Sequence, residues 1–373
     1  MSDMKRFISL AMPVALCAIM AASFVRSARV AAKGGRRRDA AAAEMRMKPV
    51  GETSLKDRVD GWMTMAGEKE FAALDMRLSK LLTGTLRSTQ VLDGKDGWLF
   101  YKSTTDGDSM ADYIGRERFS KSFMEDTLAA LGELEQKLRK AGVRFCLLMA
   151  PNKESVYPEY MPDKVFRTSD KTRTDVLMRY LADRAGFPVA YPKETLLEQK
   201  RHYLLYYPMD THWNVLGGYV GVQSVIAAMG QETVPLSTRK IAMDGPPHRN
   251  DLVKMAKASD IYNGIVPADW RIVGQPHVSK PDKSDKGFMD YRHNENASAS
   301  SDKSVLVVGD SFRSALRPSL LERYRHVHDV HHYKCDSLAA LLEKARPDIL
   351  ILESVERYAE LIAPTARRLA QTL

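Results

Sequence analysis

Apolar stripes at helical spacing alternate with short, uninterrupted apolar runs across most of this chain, and no other feature of the sequence restricts the fold as strongly. The first stripe includes Phe123, Leu131 and Leu138, and the run VRFCLLMA follows it at residues 143–150. An uninterrupted apolar run is typical of a strand that a parallel sheet buries on both faces. We therefore predict an α/β fold in which helices flank a mostly parallel central sheet.

The alternation continues to the C-terminus with one interruption. Further helices are predicted at residues 171–185, 215–229, 318–324, 337–344 and from 356, and further strands at 189–191, 304–308, 327–333 and 348–352. Between residues 231 and 303 the pattern breaks down into polar, proline-containing sequence, which indicates an irregular insertion with surface loops. We assign residues 88–373 to one domain, whose first segment at residues 91–101 predicts a hairpin or an entering strand.

The N-terminus predicts export. Residues 7–25 form an uncharged stretch of 19 residues. The stretch exceeds a usual signal-peptide core and approaches the length that spans a bilayer, so residues 1–25 are either a cleaved signal peptide or, as we prefer, a signal anchor. Six basic residues within 26–38 oppose this orientation, because positive charges usually remain in the cytoplasm. Residues 26–87 are interpreted as a flexible linker followed by a helical approach segment.

Charge and cysteine content exclude some classes of protein. The net charge is +9, but residues 1–38 hold eight Lys or Arg against one Asp, which leaves +2 for the rest of the chain. A nucleic-acid-binding protein usually carries its basic surface on the folded domain, so this class is disfavoured. Of the three cysteines, Cys146 and Cys335 are a candidate disulfide in an oxidising compartment, although the apolar run around Cys146 favours a buried thiol.

The run VLVV at residues 305–308 leads into Gly-Asp-Ser-Phe, which places Ser311 at the carboxyl end of a predicted strand. Open α/β sheets carry their active sites at this edge, and the glycine permits a tight turn. Ser311 is therefore a candidate nucleophile. The alternative is structural, because Gly-Asp-Ser after a strand is also a common N-cap of the next helix.

A second motif, DTHW at residues 210–213, holds the other groups that an activated serine needs. At the end of an extended strand, Asp210 and His212 point the same way, so the carboxylate can orient the imidazole. A serine hydroxyl becomes a good nucleophile when a base takes its proton, and the carboxylate stabilises the imidazolium that forms. The structural alternative is a capping Asp beside a satisfied His, and a metal site would need further ligands.

Together these motifs resemble those of the alginate O-acetyltransferases, a family with an SGNH-hydrolase-like domain. The similarity covers residues 86–358 and rests on five segments: GKDGWLFY at 94–101, APNKESVYPEYMP at 150–162, DTHWNVLGGY at 210–219, GDSF at 309–312 and ESVER at 353–357. The resemblance implies that Ser311 accepts the acetyl group, that His212 is the base and that Asp210 orients it.

The resemblance further implies an O-acetyltransferase that acetylates hydroxyls of an alginate-like exopolysaccharide through an acetyl-serine. It implies a periplasmic location at the inner membrane and a membrane-bound O-acyltransferase partner that supplies the acetyl group. A carbohydrate acetylesterase is the alternative, because the same triad serves water, and a non-catalytic polysaccharide-binding subunit is another. No GxxxxGK[ST] or GxGxxG motif is present, so we expect no nucleotide bound in a phosphate loop and no cofactor. We also expect no metal, because the neighbourhood of DTHW offers no third and fourth ligand.

Several further residues are candidates for the site or its surroundings. Asn152 is a candidate second oxyanion donor beside the Ser311 N–H, or a turn residue. Glu356 and Arg357 are interpreted as an ion pair or a solvated face. Candidates to line a groove for an acidic sugar, each equally suited to a structural role, are Tyr101, Lys153, Trp213 and Arg313. Surface or partly buried positions on a strand, rather than metal ligation, are expected for His326, His328, His331 and His332.

Overall fold

A computed structural model describes residues 80, 86, 88–103, 105–115, 117–245, 248, 250–262, 269–278 and 290–373. They all fall within one unit of the chain, Asp75–Leu373. The predicted signal segment, the linker and nearly all of the predicted approach helix lie outside the described residues. Among the helices that are described, none has the length and apolar content to cross a membrane.

The described residues contain ten strands and eleven α-helices. The strands are β1 (Val91–Asp93), β2 (Leu99–Tyr101), β3 (Arg144–Ala150), β4 (Val189–Ala190), β5 (Ile241–Gly245), β6 (Asp269–Ile272), β7 (Arg292–Glu295), β8 (Ser301–Gly309), β9 (Tyr324–His331) and β10 (Ile349–Val355). The helices are α1 (Ser109–Ile114), α2 (Lys121–Lys140), α3 (Lys153–Val156), α4 (Arg173–Arg184), α5 (Lys193–Gln199), α6 (Val215–Ala228), α7 (Asp251–Met255), α8 (Ser259–Tyr262), α9 (Arg317–Arg323), α10 (Leu338–Ala345) and α11 (Ile362–Gln371).

Six of the strands form the central sheet in the order β4, β3, β10, β8, β9, β7. Every neighbouring pair is parallel except β7 with β9, which is antiparallel. The prediction of a mostly parallel sheet is therefore confirmed. In the middle of the sheet β10 separates β3 from β8, so the C-terminal part of the chain completes the centre of the fold.

The sheet is covered by helices on both faces, as the uninterrupted apolar runs predict. In β3, Cys146 and Leu148 belong to one hydrophobic cluster, whereas Leu147 and Met149 belong to the other. The first cluster draws on α6 and α9, and the second on α2, α4, α10 and α11. Alternate side chains of each strand thus enter opposite cores, which explains why the strand is apolar at nearly every position.

Most predicted elements are present within a few residues of their expected bounds. Ser120 caps α2 by accepting a hydrogen bond from the Phe123 N–H, and Asn214 caps α6 as predicted. The segment at 91–101 forms an antiparallel hairpin of β1 and β2. Within 231–303 the structure describes a two-stranded sheet of β5 and β6, the short helices α7 and α8, and β7. These elements are too short for periodicity to reveal them.

Two features of the packing bear on the site. A third, smaller cluster joins the hairpin to α7 through residues such as Leu99, Leu252 and Val253, which anchors the start of α7. Cys146 and Cys335 are buried free thiols, so the buried-thiol interpretation holds for both. Burial raises the pKa of Cys146 to about 12.

Candidate active site

The turn that carries Ser311 is set by the end of β8. Gly309 passes so close to β10 that a Cβ there would lie 2.4 Å from Glu353 Oε2. The Asp310 N–H donates to the same oxygen at 3.0 Å, and Asp310 Oδ1 accepts from the Phe312 N–H at 2.9 Å. Asp310 therefore caps the 3-10 helix Ser311–Leu316, and Ser311 is left exposed. The capping role and the free hydroxyl occur together in this one turn.

Ser311 and His212 are in direct contact. His212 Nε2 lies 2.6 Å from Ser311 Oγ, and His212 Nδ1 lies 2.6 Å from Asp210 Oδ1. An ionised carboxylate only accepts hydrogen bonds, so Nδ1 carries the proton and donates to Asp210. In the neutral imidazole Nε2 then accepts from the serine hydroxyl. The three side chains form the continuous arrangement that activates a serine for acyl transfer.

The carboxylate of Asp210 is fully occupied by donors. Oδ1 also accepts from the His212 N–H at 3.0 Å, and Oδ2 accepts from His248 Nε2 at 3.0 Å and from the Asp251 N–H at 2.8 Å. Burial alone would raise the pKa of Asp210, but the hydrogen bonds from His212 and His248 outweigh it and lower that pKa well below its usual range. Asp210 therefore stays ionised and fixed beside the imidazole.

A second carboxylate, Asp251, lies on the other side of the same motif. Its Oδ1 accepts from the Thr211 N–H at 2.8 Å, its Oδ2 accepts from Thr211 Oγ1 at 2.5 Å, and Oδ2 is 3.5 Å from His212 Nδ1. Burial lowers the pKa of His212, but the hydrogen bond and charge of Asp210, with the charge of Asp251, raise it above 6.5. The imidazole is thus a stronger base than a free histidine.

His248 and Asp251 were not identified from the sequence. Both lie in the segment interpreted as an irregular insertion, about 40 residues after the DTHW motif, and no spacing marks them. The His248 ring stacks on the Tyr207 ring at 3.6 Å between centroids, and the Tyr207 hydroxyl donates to Asp269 at 2.8 Å. This contact between distant segments exists only in the folded chain, so the sequence pattern held no signal for it.

Lys153 lies behind the site rather than along a groove. It is 2% exposed, and its Nζ donates to the backbone carbonyls of Tyr207, Pro208 and Asp210 at 3.2, 3.0 and 2.6 Å. Burial lowers the pKa of Lys153 to about 8. Its role in the structure is to hold the turn that presents Asp210.

Trp213 and Arg313 are also buried, at 1% and 2% exposed. Trp213 Nε1 donates to the Phe312 carbonyl at 2.9 Å, which ties the DTHW motif to the nucleophile turn. Arg313 donates to the Asp310 carbonyl at 2.7 Å and to Asp329 Oδ1 at 3.0 Å, and it pairs with Asp290. Neither side chain lines a groove, because Trp213 binds a backbone carbonyl next to Ser311 and Arg313 binds a backbone carbonyl and buried or nearby carboxylates.

Asn152 and Tyr101 are both buried, but they differ in the hydrogen bonds that their side chains make. The Asn152 side chain is 1% exposed, and neither its oxygen nor its nitrogen has a hydrogen-bond partner among the described residues. The Tyr101 ring is buried, and its hydroxyl donates to Asp106 at 2.9 Å. Asn152 therefore keeps two free polar atoms at the end of β3, whereas Tyr101 is held in a side-chain network.

The expected ion pair between Glu356 and Arg357 is wrong. Glu356 is fully buried and accepts from the Asn152 N–H at 2.8 Å and from Thr172 Oγ1 at 2.7 Å. Arg357 turns away from it, and its guanidinium lies over the Tyr101, Phe312 and Tyr358 rings. Glu356 is therefore bound to the end of β3 and to Thr172 rather than to its sequence neighbour or to solvent.

The histidine-rich strand β9 pairs with β8, and its His331 lies opposite Gly309. His326 and His331 are partly buried on the strand, as expected. The expectation is wrong for His328 and His332, which are buried, and His332 begins a 3-10 helix after the strand. His293 of β7 stacks on His328 with ring centroids 4.3 Å apart. Among the described residues, the one group of side chains close enough together to hold a metal is Asp210, His212 and Asp251. A metal there would compete with the hydrogen bond between His212 and Asp210, so these residues suit proton transfer better.

The fold is an α/β sheet on which Asp210, His212 and Ser311 are hydrogen-bonded in series. The family model described as "SGNH hydrolase-like domain, acetyltransferase AlgX" matches residues 91–320, a range that contains Asp210, His212 and Ser311. The chain therefore belongs to this family, and by class it is an O-acetyltransferase.

The chain is similar to several individual proteins. The probable alginate O-acetylase AlgJ of Pseudomonas syringae pv. tomato is 26% identical over 322 residues, which cover 78% of this chain and 73% of the relative. The O-acetyltransferase domain of Pseudomonas putida AlgJ is 17% identical, with a TM-score of 0.47, and covers 74% of this chain and 99% of that domain. Bacillus cereus PatB1 is 13% identical, with a TM-score of 0.48, and covers 72% and 96%.

Proposed function

We propose that this protein transfers acetyl groups to hydroxyls of an alginate-like exopolysaccharide through an acetyl group carried on Ser311. The single observation that carries the proposal is the continuous hydrogen-bonded chain from Ser311 Oγ through His212 to Asp210, with 2.6 Å at each step. The names of the relatives, probable alginate O-acetylases, support the choice of acceptor.

In the first half-reaction His212 Nε2 takes the Ser311 hydroxyl proton while Oγ attacks the acetyl carbonyl. The imidazolium that forms is stabilised by Asp210, and it returns the proton to the departing group of the donor. In the second half-reaction a sugar hydroxyl binds where that group left. His212 takes the hydroxyl proton, the sugar oxygen attacks the acetyl-serine, and Ser311 recovers its proton as the ester bond breaks.

Two groups suit the negative oxygen of the tetrahedral intermediates. The Ser311 N–H lies at the first turn of a 3-10 helix, where backbone N–H groups have no intrahelical acceptor. Asn152 offers a buried amide whose nitrogen has no partner among the described residues. Removing one donor of an oxyanion hole typically costs about 100- to 1000-fold in kcat, so we expect a loss of that order for Asn152→Ala.

The acetyl-serine is tested by intact-mass analysis after brief mixing with 4-nitrophenyl acetate. We expect one added acetyl group on the native protein and none on Ser311→Ala. Ser314→Ala is the matched control, because Ser314 is an exposed serine of the same 3-10 helix. An adduct that survives in Ser311→Ala would remove Ser311 from the mechanism.

Hydrolysis is the second candidate function, because Ser311 is exposed and water can reach it. The two functions are separated by incubating the protein with the acetyl ester and an unacetylated polyuronate, then scoring free acetate and polymer-bound acetyl. Acetylated polymer supports transfer. Release of acetate alone supports an acetylesterase, and no reaction on either measure supports a non-catalytic binding subunit.

We further propose a periplasmic location at the inner membrane and a membrane-bound O-acyltransferase that supplies the acetyl group. The uncharged stretch at residues 7–25 supports export. A reporter enzyme that works only outside the cytoplasm, fused after Leu373, should be active in cells. An active cytoplasmic reporter in its place would refute the location and with it the proposed partner.

A further inference from the structure

Arg357 is a buried cation that forms no direct ion pair with a described carboxylate. The residue is 9% exposed, and its buried Nε has no hydrogen-bond acceptor among the described residues. Burial lowers the pKa of Arg357, but Tyr358, through its charge and a hydrogen bond, and the charges of Asp310 and Glu154 raise it above its usual range. Its sequence neighbour Glu356 is already engaged by Asn152 and Thr172. The Nε–H of Arg357 is therefore a buried donor without an acceptor among the described residues, and leaving such a donor unsatisfied is costly.

The guanidinium is held in a cage of aromatic rings. Its central carbon lies 5.4 Å from the Tyr101 ring centroid, 5.5 Å from that of Phe312 and 4.9 Å from that of Tyr358. Asp106 accepts from both tyrosine hydroxyls, at 2.9 and 2.6 Å, and so fixes two walls of the cage. These rings give the buried Nε–H no acceptor, and the N–H edge of a guanidinium matches a planar carboxylate in a bidentate pair.

The cage adjoins the reacting groups. Phe312 directly follows Ser311, and its ring lies 4.9 Å from the His212 ring and 5.5 Å from the Arg357 central carbon. One aromatic ring therefore separates the base from the unpaired cation. A sugar whose hydroxyl sits at His212 can place a substituent at Arg357 without leaving the site.

We propose that Arg357 binds the carboxylate of the acceptor sugar acid and so selects an anionic polysaccharide. The inference rests on the proposed function, since it concerns the acceptor of the same site. A neutral sugar would leave the guanidinium unpaired, whereas a uronate carboxylate would neutralise it through two parallel hydrogen bonds. Lysine offers a point charge without this planar fork, so it would replace the arginine only in part.

The test compares two acceptors that differ in charge alone, a polyuronate and the same polymer with methyl-esterified carboxylates. For Arg357→Met we expect kcat/KM on the polyuronate to fall at least tenfold further than on the ester, mainly through KM. Arg357→Lys should recover part of that loss. Arg184→Met is the matched control, because Arg184 also lies over a tyrosine ring but on the exposed side of α4.

Equal losses on both acceptors would overturn the proposal and indicate that Arg357 stabilises the oxyanion or the fold. A second measurement does not depend on turnover: calorimetric binding of an unacetylated uronate hexamer to Ser311→Ala, with and without Arg357→Met. We expect at least tenfold weaker binding without the arginine, and equal binding would refute the inference. Absence of transfer by the native protein, together with arginine-dependent binding, would refute the proposed transfer but retain the anion site.

Discussion

Gly218 of α6 is the point where this helix passes closest to the nucleophile turn. A Cβ at Gly218 would lie 2.3 Å from the Ala315 carbonyl oxygen and 2.7 Å from the Ala315 Cβ. Ala315 belongs to the 3-10 helix that Ser311 begins, and α6 follows directly after the motif that carries His212. The distance between base and nucleophile therefore depends on the absence of a side chain at Gly218.

The expected cost of Gly218→Ala follows from these distances. In an open helical position the change from glycine to alanine stabilises a protein by about 0.5–1 kcal/mol. Overpacking a closed site costs about 1–3 kcal/mol, so we expect a net destabilisation of about 1–2 kcal/mol. Moving the turn by about 1 Å would also lengthen the 2.6 Å contact of His212 with Ser311, and a displacement of that size costs about 100-fold in rate.

The assay uses a matched pair of variants. Gly132 lies in α2, and nothing is within 4 Å of a Cβ built there, so Gly132→Ala should be slightly stabilised and fully active. Thermal unfolding and the rate of 4-nitrophenyl acetate turnover are measured for both variants and the native protein. A Gly218→Ala protein as stable and active as Gly132→Ala would show that the close approach does not set the geometry of the site.

Three further outcomes are expected. Activity should fall as the pH drops through the raised pKa of His212. Asp210→Asn removes the charge that raises this pKa, so it should move the acid limb of the pH–rate profile to lower pH and reduce kcat about 10⁴-fold. An unmoved limb would exclude His212 as the base. Asp329→Asn should cost about 3–5 kcal/mol in chemical denaturation, because it removes the carboxylate that pairs with buried Arg317 and one of the two that pair with buried Arg313. A loss below about 1 kcal/mol would contradict this. His248→Phe removes a donor from Asp210 and should move the acid limb to higher pH, whereas His202→Phe, an exposed control, should leave it in place.

The fold was largely predictable because a strand that is buried on both faces has an uninterrupted run of apolar residues. β3, β10 and the second half of β8 are mostly apolar, and that pattern needs no knowledge of their partners. The short elements between residues 231 and 303 were not predictable in the same way, since a strand of four or five residues has too few positions to show a period.

The three candidate catalytic residues were predictable from the sequence, but the residues that hold them in position were not. Ser311 and the Asp210–His212 pair carry their own local signal, a strand end and a two-residue spacing. Lys153, by contrast, binds backbone carbonyls, and any residues at those positions would present the same oxygens. His248 reaches Asp210 from 38 residues away along the chain. Contacts of these kinds have no counterpart in a local pattern.

The position of β10 has a consequence for the kinetics of folding. β3 and β8 are not neighbours in the sheet and are joined only by β10, in which Ile349 pairs with Arg144 on one side and with Val305 on the other. Closing such long loops before their contacts form slows folding, so high contact order is built into the centre of this sheet. The hydrogen bond of His212 with Ser311 joins residues 99 positions apart and needs β8 correctly seated. During refolding, turnover of an acetyl ester would therefore be recovered only in the last phase, after helix content and burial of the tryptophans have been recovered.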